Sequence, residues 1–266
     1  MPDYISYTEI PKIIGLKKGD RVYLSSDILM LSFLAMKNGE KFDLDKLLDS
    51  FIEAIGVEGT LLVPTFNFDF SNKGYYDIVN TMSTTGALGN AALKRDDFKR
   101  TKHPMHSFSV WGRDQEYLCA IENLNSFGPD SPFAYMKDKN VIQVMLGTDY
   151  QRSMTFVHYA ETCAKVPYRF HKEFTGTYVD ENGKENTVTY EYPARVLEYG
   201  THEMFNRIGE ILEQKGISKK YDVNGVVINK CMLGDSFDTI YDDAANNMCR
   251  NLYDFDVDRD MIWSKQ

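Results

Sequence analysis

A buried strand followed by a polar loop and a new helix constrains this chain more than any other sequence feature. The apolar run 141–146 has the length of a strand, ends at Gly147, and is followed by the polar loop 148–153 and then a helical pattern. Shorter strand patterns at 21–24 and 60–64 alternate with helical segments, which favours an α/β fold. Such folds place functional groups in the crevice beyond the carboxyl ends of the strands. We therefore expect residues after Gly147 to border a cleft.

The helix that follows this loop carries a base and a carboxylate on one face. Thr155, His158 and Glu161 follow one another at intervals of three residues, a spacing that brings side chains together if the segment is helical. A carboxylate there can accept a hydrogen bond from one imidazole nitrogen and leave the other free to take a proton. The alternative is a helix start capped by Thr155, with His158 packed in the core.

Several further motifs precede this segment in a fixed order. They are Gly19-Asp20 before a strand, Gly59-Thr60-Leu61-Leu62-Val63-Pro64-Thr65-Phe66, Ser83-Thr84-Thr85-Gly86-Ala87-Leu88-Gly89, His103-Pro104-Met105-His106-Ser107 and Phe127-Gly128-Pro129-Asp130-Ser131-Pro132-Phe133. Together with Leu146-Gly147 and the segment 155–161, they resemble the motifs of the aminoglycoside 3-N-acetyltransferase family, also called antibiotic N-acetyltransferases. The resemblance covers most of residues 19–200, with a weaker echo at 224–227 and 233–236.

This resemblance implies acyl transfer from coenzyme A to an amine of a sugar. It assigns His158 and Glu161 to the catalytic base pair and places Thr155 near the acyl thioester. Acyl-CoA would be a cosubstrate consumed in each turnover, with no permanently bound cofactor. We expect direct attack by the amine, with CoA held by residues Ser25, Ser26, Asp27, Thr84, Thr85 and Gly86. Capping of a helix by Ser26 or Asp27 is the alternative for the first of these turns.

Two departures favour a different acceptor from the antibiotics. Ser25-Ser26-Asp27 stands where the antibiotic-modifying enzymes usually have H-A-S, and segment 64–77 resembles the branch that acylates nucleotide-linked amino sugars, such as the anthrose-type N-acyltransferases. On this interpretation the acceptor contacts are Asn67, Asp69, Tyr75, Tyr76, His103 and Ser107. A structural role is the alternative for His103, as core packing is for Phe66 and Phe68. An aminoglycoside acceptor and a non-catalytic sugar- or nucleotide-binding protein remain the competing functions.

Charge limits the partners. The net charge is −9, from 30 basic and 39 acidic residues, which argues against binding to nucleic acid. A local basic stretch at 94–103 would suit the phosphates of CoA or of a nucleotide, unless it is a solvated helix face diluted by Asp96 and Asp97.

Other classes of protein lack their signatures here. No apolar run approaches the ~20 residues of a membrane span, and the start of the sequence lacks a secretory signal pattern, so we expect a cytoplasmic protein with no membrane partner. The 4 cysteines lack C-x-x-C spacing, and no histidines and carboxylates stand at zinc-ligand spacing, so we expect no metal. The sequence leaves the oligomeric state open, and a homo-oligomer is compatible with it.

The elements predicted from these patterns build an α/β fold of three layers around a central mixed sheet. A β-hairpin around Asn182-Gly183 and a C-terminal α/β portion are added to it. We predict one acyltransferase domain, 1–266, which could divide into a core, 1–165, and a hairpin and C-terminal lobe, 166–266. Predicted helices cover 8–14, 43–55, 83–94, 114–123, 131–137, 201–215 and 236–252, and one long strand covers 223–232.

Overall fold

A twisted mixed sheet lies at the centre of the computed structural model, which describes residues 4–264. Met1-Pro2-Asp3, on which the localisation prediction partly rests, lies outside the described residues. The strands are β1 (Arg21–Ser26), β2 (Thr60–Pro64), β3 (Tyr75–Asp77), β4 (Lys99–Arg100), β5 (Phe108–Gly112), β6 (Ile142–Leu146), β7 (Arg169–Val179), β8 (Glu185–Arg195), β9 (Thr201–Glu203), β10 (Ser218–Val223), β11 (Val226–Met232) and β12 (Tyr253–Phe255).

Helices connect these strands and cover the sheet. They are α1 (Ile10–Ile13), α2 (Leu29–Lys37), α3 (Leu44–Ile55), α4 (Phe70–Lys73), α5 (Ala87–Ala92), α6 (Gln115–Ala120), α7 (Pro132–Asp138), α8 (Tyr150–Ser153), α9 (Val157–Ala164), α10 (Phe205–Gln214), α11 (Leu233–Asn246) and α12 (Arg259–Trp263). Short 3-10 helices occur at Tyr7–Glu9 and Leu197–Tyr199.

The order of strands in the sheet is β10-β11-β6-β1-β2-β5-β4. The three central strands, β6, β1 and β2, run parallel, and antiparallel strands flank them on both sides. The carboxyl ends of β1 and β6 therefore meet at one edge, as their Ser26–Leu146 pairing shows. The predicted mixed sheet is confirmed, and β10 and β11 carry it across the proposed boundary at 165. Whether the chain divides there stays a prediction.

Side chains that alternate along the strands pack into two cores, one on each face of the sheet. Val22 and Leu24 point into a core closed by α1, α2, α3 and α5, whereas Tyr23 belongs to the core closed by α7, α9, α10 and α11. The hairpin β7–β8 covers a third, smaller core with β3. These layers agree with the predicted three-layer arrangement.

Local patterns account for many element boundaries but not for all. The helix predicted at 201–215 begins only at Phe205, after the short strand β9 at Thr201–Glu203. Asp43 caps α3 through hydrogen bonds from the backbone N–H groups of Asp45 and Lys46, as a preferred N-cap residue does. The strand predicted at 223–232 is present at Val226–Met232 as β11. It does not extend to 223, because Asn224 and Gly225 adopt positive φ angles of 56° and 86° and turn the chain between β10 and β11. The sequence pattern also missed α2, whose apolar residues are not confined to one face.

Close packing of α10 on α8 depends on the absence of a side chain at Gly209. A Cβ atom there would lie 2.2 Å from Cδ2 of Tyr150, whose ring is buried. Tyr150 cannot move aside freely, because its hydroxyl lies 2.6 Å from Oγ of Ser218 and 3.1 Å from Oε1 of Glu213.

We therefore expect Gly209→Ala to lower the free energy of unfolding by about 1–3 kcal/mol, although alanine alone favours a helix by about 1 kcal/mol over glycine. Glu210→Ala, at the exposed neighbouring position of the same helix, is the matched control and should stay within about 0.5 kcal/mol of the parent. Urea unfolding measures both. An equally stable or more stable Gly209→Ala would show that the helices can separate at no cost.

Candidate active site

The chain between β6 and α9 brings the predicted motif to the edge of the sheet. α8 begins at Tyr150 with Asp149 as its N-cap, and a turn at Thr155 and Phe156 leads into α9. Thr155 therefore lies before α9, and its carbonyl oxygen accepts a hydrogen bond of 3.1 Å from the backbone N–H of His158. His158 and Glu161 lie within the helix, one turn apart.

The predicted pairing of the base with the carboxylate is present. Nδ1 of His158 lies 2.7 Å from Oε2 of Glu161. An ionised carboxylate can only accept a hydrogen bond, so Nδ1 carries the proton and the lone pair of neutral His158 lies on Nε2. This arrangement can take a proton from a bound amine.

Glu161 is fully buried, and groups outside α9 keep it ionised. Its Oε1 accepts a short hydrogen bond from the hydroxyl of Tyr168, and its Oε2 lies 2.9 Å from Nε of Arg169. That N–H does not point at the oxygen, so the contact is an ion pair rather than a hydrogen bond. Burial alone would raise the pKa of Glu161, but Arg169, His158 and Tyr168 outweigh it and lower the pKa to about 2.

His158 lies in an apolar pocket with a small accessible area. The rings of Phe127 and Phe205 lie 5.4 and 5.8 Å from its ring, centroid to centroid, and its side chain is 15% exposed. Burial, followed by the charge of Arg169, lowers the pKa of His158, and the opposing effect of Glu161 is smaller. His158 is therefore neutral, and able to accept a proton, at pH 7.

A cavity of about 570 Å³ opens at the carboxyl ends of β1 and β6. Thr155 and Tyr23 lie in its wall, together with Phe66, Phe68 and Arg152. Thr155 precedes His158 by three residues in the chain, whereas His158 and Glu161 are not among the residues that line this cavity.

Most of the residues predicted to hold CoA line this cavity: Ser25, Ser26, Asp27, Thr85 and Gly86. Two hydroxyls are already engaged. Oγ of Ser25 accepts a hydrogen bond of 3.2 Å from Nε2 of Gln143, and the hydroxyl of Thr84 donates to the carbonyl oxygen of Phe66 at 3.2 Å. Thr84 lies outside the lining of the cavity, so it positions the loop rather than a ligand. Asp27 accepts a hydrogen bond from the backbone N–H of Leu29, the first residue of α2, although the N-cap position itself is Ile28.

Three of the residues predicted to contact the acceptor are buried and engaged with the protein. Tyr76 is fully buried beneath the hairpin, with the guanidinium of Arg100 5.0 Å from its ring centroid. Ser107 accepts a hydrogen bond from Nε of Arg100 at 3.0 Å and donates to the carbonyl oxygen of Thr65. Burial lowers the pKa of His103 to about 3, so it is a neutral core histidine that accepts a hydrogen bond from the backbone N–H of His106. None of these three side chains has a surface that a substrate could contact.

The other three predicted acceptor residues lie in the segment between β2 and β3. Asn67 is buried, and its amide binds the carbonyl oxygen of Met82 and the backbone N–H of Asp69. Asp69 is exposed and paired with Lys73 at 2.7 Å. Tyr75 is half exposed on β3. The segment is a loop that contains the short helix α4, with Asp69 at its N-cap position.

Three side chains of the basic stretch at 94–103 are engaged by other groups of the protein. Arg95 pairs with Asp49 at 2.7 Å and with Asp97 at 2.8 Å. Arg100 is buried and donates to the carbonyl oxygens of Thr65 and Thr81. Lys102 pairs with Glu122 at 2.5 Å. Lys94 and Lys99 of the same stretch are exposed. A phosphate site in this stretch stays a prediction.

Further residues around the dyad come from other parts of the chain, and no sequence motif connects them with it. Tyr168 and Arg169 follow α9 after a turn in which Lys165 has a φ of 51°. Glu203 on β9 raises the proton affinity of His158 from a third element. A second cavity, of about 920 Å³, lies against Glu161 and Arg169 between α9 and the hairpin.

The described residues contain no group of three or more histidine, cysteine, aspartate or glutamate side chains that could hold a metal ion. No helix within residues 4–264 is both long and apolar enough to cross a membrane.

Comparison with known proteins decides the family. The profile of the aminoglycoside 3-N-acetyltransferases matches residues 30–241, which is most of the chain and includes the dyad. The chain belongs to this family. It is accordingly an acyl-CoA-dependent N-acyltransferase, and acyl-CoA is its cosubstrate.

Individual relatives are distant but match over nearly the whole length. The SPbeta prophage-derived aminoglycoside N(3')-acetyltransferase-like protein YokD of Bacillus subtilis (strain 168) is 26% identical over 93% of this chain and 94% of its own. Sisomicin-bound AAC-VIa has a TM-score of 0.77 at 19% identity, covering 92% of this chain and 99% of that one. AAC-IIIb in a binary complex with CoASH has a TM-score of 0.75 at 17% identity, covering 90% and 96%. At these identities the solved structures establish the shared fold.

The burial of Glu161 predicts a large cost for removing its charge. We expect Glu161→Gln to lower the free energy of unfolding by about 3–5 kcal/mol at pH 7, because Arg169 would be left buried without its counter-ion. Glu203→Gln is the matched control. Glu203 pairs with Arg195 at 2.7 Å, and each of the two side chains is 37% exposed, so loss of this ion pair should cost about 1 kcal/mol or less.

The lowered pKa of Glu161 determines how the stability difference between the parent and Glu161→Gln changes with pH. The pKa of Glu161 is about 2 in the folded protein and ordinarily about 4.5, so its stabilisation is complete above 4.5 and declines as the pH falls towards 2. The difference between parent and Glu161→Gln, measured by denaturant unfolding, should shrink over that interval. A difference that is small at pH 7, or independent of pH, would contradict an ionised Glu161.

Proposed function

We propose that this enzyme transfers an acetyl group from acetyl-CoA to an amine of a cationic amino sugar of the aminoglycoside class. The observation that carries the proposal is the His158–Glu161 pair. It follows Thr155 in the chain, and Thr155 lies in the wall of the cavity at the ends of β1 and β6. The thioester would lie in this cavity beside Thr155, and His158 would act as the base for the attacking amine.

The donor site is inferred from the shape and chemistry of that cavity. Its volume of about 570 Å³ is in the range of small-molecule sites, and Phe66 and Phe68 give it an apolar wall for a pantetheine arm. Arg152 is exposed at its mouth and makes a loose pair with Asp27, at 3.7 Å, so it is available to a phosphate. The CoA-bound relative AAC-IIIb, with the same fold, supports this assignment.

The choice of acceptor rests on charge. A nucleotide diphosphate would need free positive charge near the dyad. In the stretch at 94–103, Arg95, Arg100 and Lys102 are engaged by the protein, which leaves Lys94 and Lys99 as its exposed cations. Glu203 instead places a carboxylate in the field of His158, and the protein carries a net charge of −9. Such a field attracts a polycation. The gentamicin and sisomicin complexes of relatives with this fold point the same way.

The chemistry follows from the neutral state of His158. The amine nitrogen attacks the thioester carbonyl carbon, the C–N bond forms, and the C–S bond breaks. The amine proton passes to Nε2 of His158 and then to the departing thiolate, which leaves as the thiol of CoA. Proximity in a ternary complex and a positioned base together account for catalysis without a covalent acyl-enzyme.

Specificity constants test the acceptor directly. At fixed acetyl-CoA, we expect kcat/KM for sisomicin or gentamicin to exceed that for a nucleotide-diphosphate-linked amino sugar by at least about tenfold. The advantage should fall as ionic strength rises, because screening weakens attraction of a polycation. Comparable or higher values for the nucleotide-linked sugar would restore the acceptor favoured by the sequence. Amine-independent release of CoA, or none, would contradict both.

A further inference from the structure

Arg169 is a buried charged side chain beside the dyad, and it comes from outside α9, the helix that carries His158 and Glu161. It begins β7, and its side chain is 5% exposed. Nη1 donates to the carbonyl oxygen of Pro193 on β8, at 2.8 Å, and Nη2 donates to the hydroxyl of Tyr253 on β12, also at 2.8 Å. These contacts fix the guanidinium from two further strands.

The guanidinium also faces the base. Its Nη2 lies 3.1 Å from Nδ1 of His158. Because Nδ1 of His158 donates its hydrogen to Glu161, it cannot also accept one from Arg169. The two N–H groups therefore face each other without a hydrogen bond. A fixed positive charge at this distance opposes the conversion of the imidazole to imidazolium.

Other groups around His158 act in both directions. Glu161 on the same helix and Glu203 on β9 favour the imidazolium, and Arg195 on β8 partly compensates Glu203. His106, before β5, is a buried neutral histidine within the field of His158, and the remaining ring contacts, Phe127 and Phe205, are apolar. Arg169 is thus the nearby positive charge that disfavours protonation of His158, whereas the carboxylates of Glu161 and Glu203 favour it.

We propose that Arg169 is a positioning residue that acts through Glu161 and His158, anchoring the carboxylate and keeping the imidazole in its neutral, proton-accepting state. The inference rests on the proposed role of His158 as the base. It gives Arg169 two effects that a purely structural counter-ion would not have together. His158 would remain a base in mildly acidic solution, and the proton that it takes from the amine would be readily released to the CoA thiolate.

Titration of His158 by NMR measures the first effect without any substrate. Its imidazole resonance, one of 5 histidine signals, is assigned by its loss in His158→Ala. We expect the midpoint to rise by about one pH unit or more in Arg169→Gln, because the opposing charge is gone. Arg169→Lys keeps a positive charge and should restore most of the parental midpoint. Arg207→Gln removes a surface arginine paired with Asp254 and should leave the midpoint unchanged.

A milder variant keeps the test decisive if Arg169→Gln does not fold. Tyr253→Phe removes one anchor of the guanidinium and leaves its charge in place, so we expect a smaller rise in the same direction. A folded Arg169→Gln with an unchanged midpoint would overturn the proposal. So would an unchanged midpoint in Tyr253→Phe if Arg169→Gln is unfolded.

The pH profile of kcat separates positioning from a general structural role. Loss of Arg169 should move the acid limb to higher pH, because His158 would then be protonated over a wider range. A uniform fall of kcat at every pH, with an unmoved limb, would assign Arg169 to structure alone. If the parent enzyme released no CoA in response to an amine, the proposed function would fail, while the NMR titration would still decide the role of Arg169.

Discussion

The burial of one carboxylate, Glu161, governs the arrangement of the whole active site. A buried charge is tolerated when it is paired and hydrogen-bonded, and Glu161 obtains His158, Tyr168 and Arg169 as partners. These partners come from α9 and from the start of β7. Arg169 is in turn held by β8 and β12, so the C-terminal part of the chain helps to position a base that lies at the end of the central sheet.

This arrangement explains which parts of the site could be predicted from the sequence. The spacing of three residues between His158 and Glu161 is local information, since a helix brings such residues together whatever surrounds it. Arg169 lies beyond the end of that helix, where the left-handed turn at Lys165 reverses the chain, and no periodicity relates it to Glu161. Glu203 and Tyr253 reach the site through strand pairing between β9 and β12, which a single sequence does not reveal.

Charge was the least predictable property. The basic stretch at 94–103 suggested an anionic acceptor, yet composition does not show how residues pair. Arg95 reaches Asp49 on α3, and Arg100 turns inward to bind backbone carbonyl groups. The central strands and most helices were predicted because buried apolar runs and caps are local signals. The turn at Asn224-Gly225 and the helix α2 were not predicted. The turn lies inside an otherwise continuous strand pattern, and α2 has no amphipathic pattern.

The central claim is that His158 removes the proton from the attacking amine. The most direct measurement is the rate of amine-dependent CoA thiol release by His158→Ala at saturating acetyl-CoA and aminoglycoside, with acetyl-CoA affinity measured alongside. We expect kcat to fall by about two to four orders of magnitude while acetyl-CoA binding is retained, since a positioned general base contributes about that much. A fall of tenfold or less, with binding intact, would mean that the amine arrives deprotonated and that His158 merely lines the site.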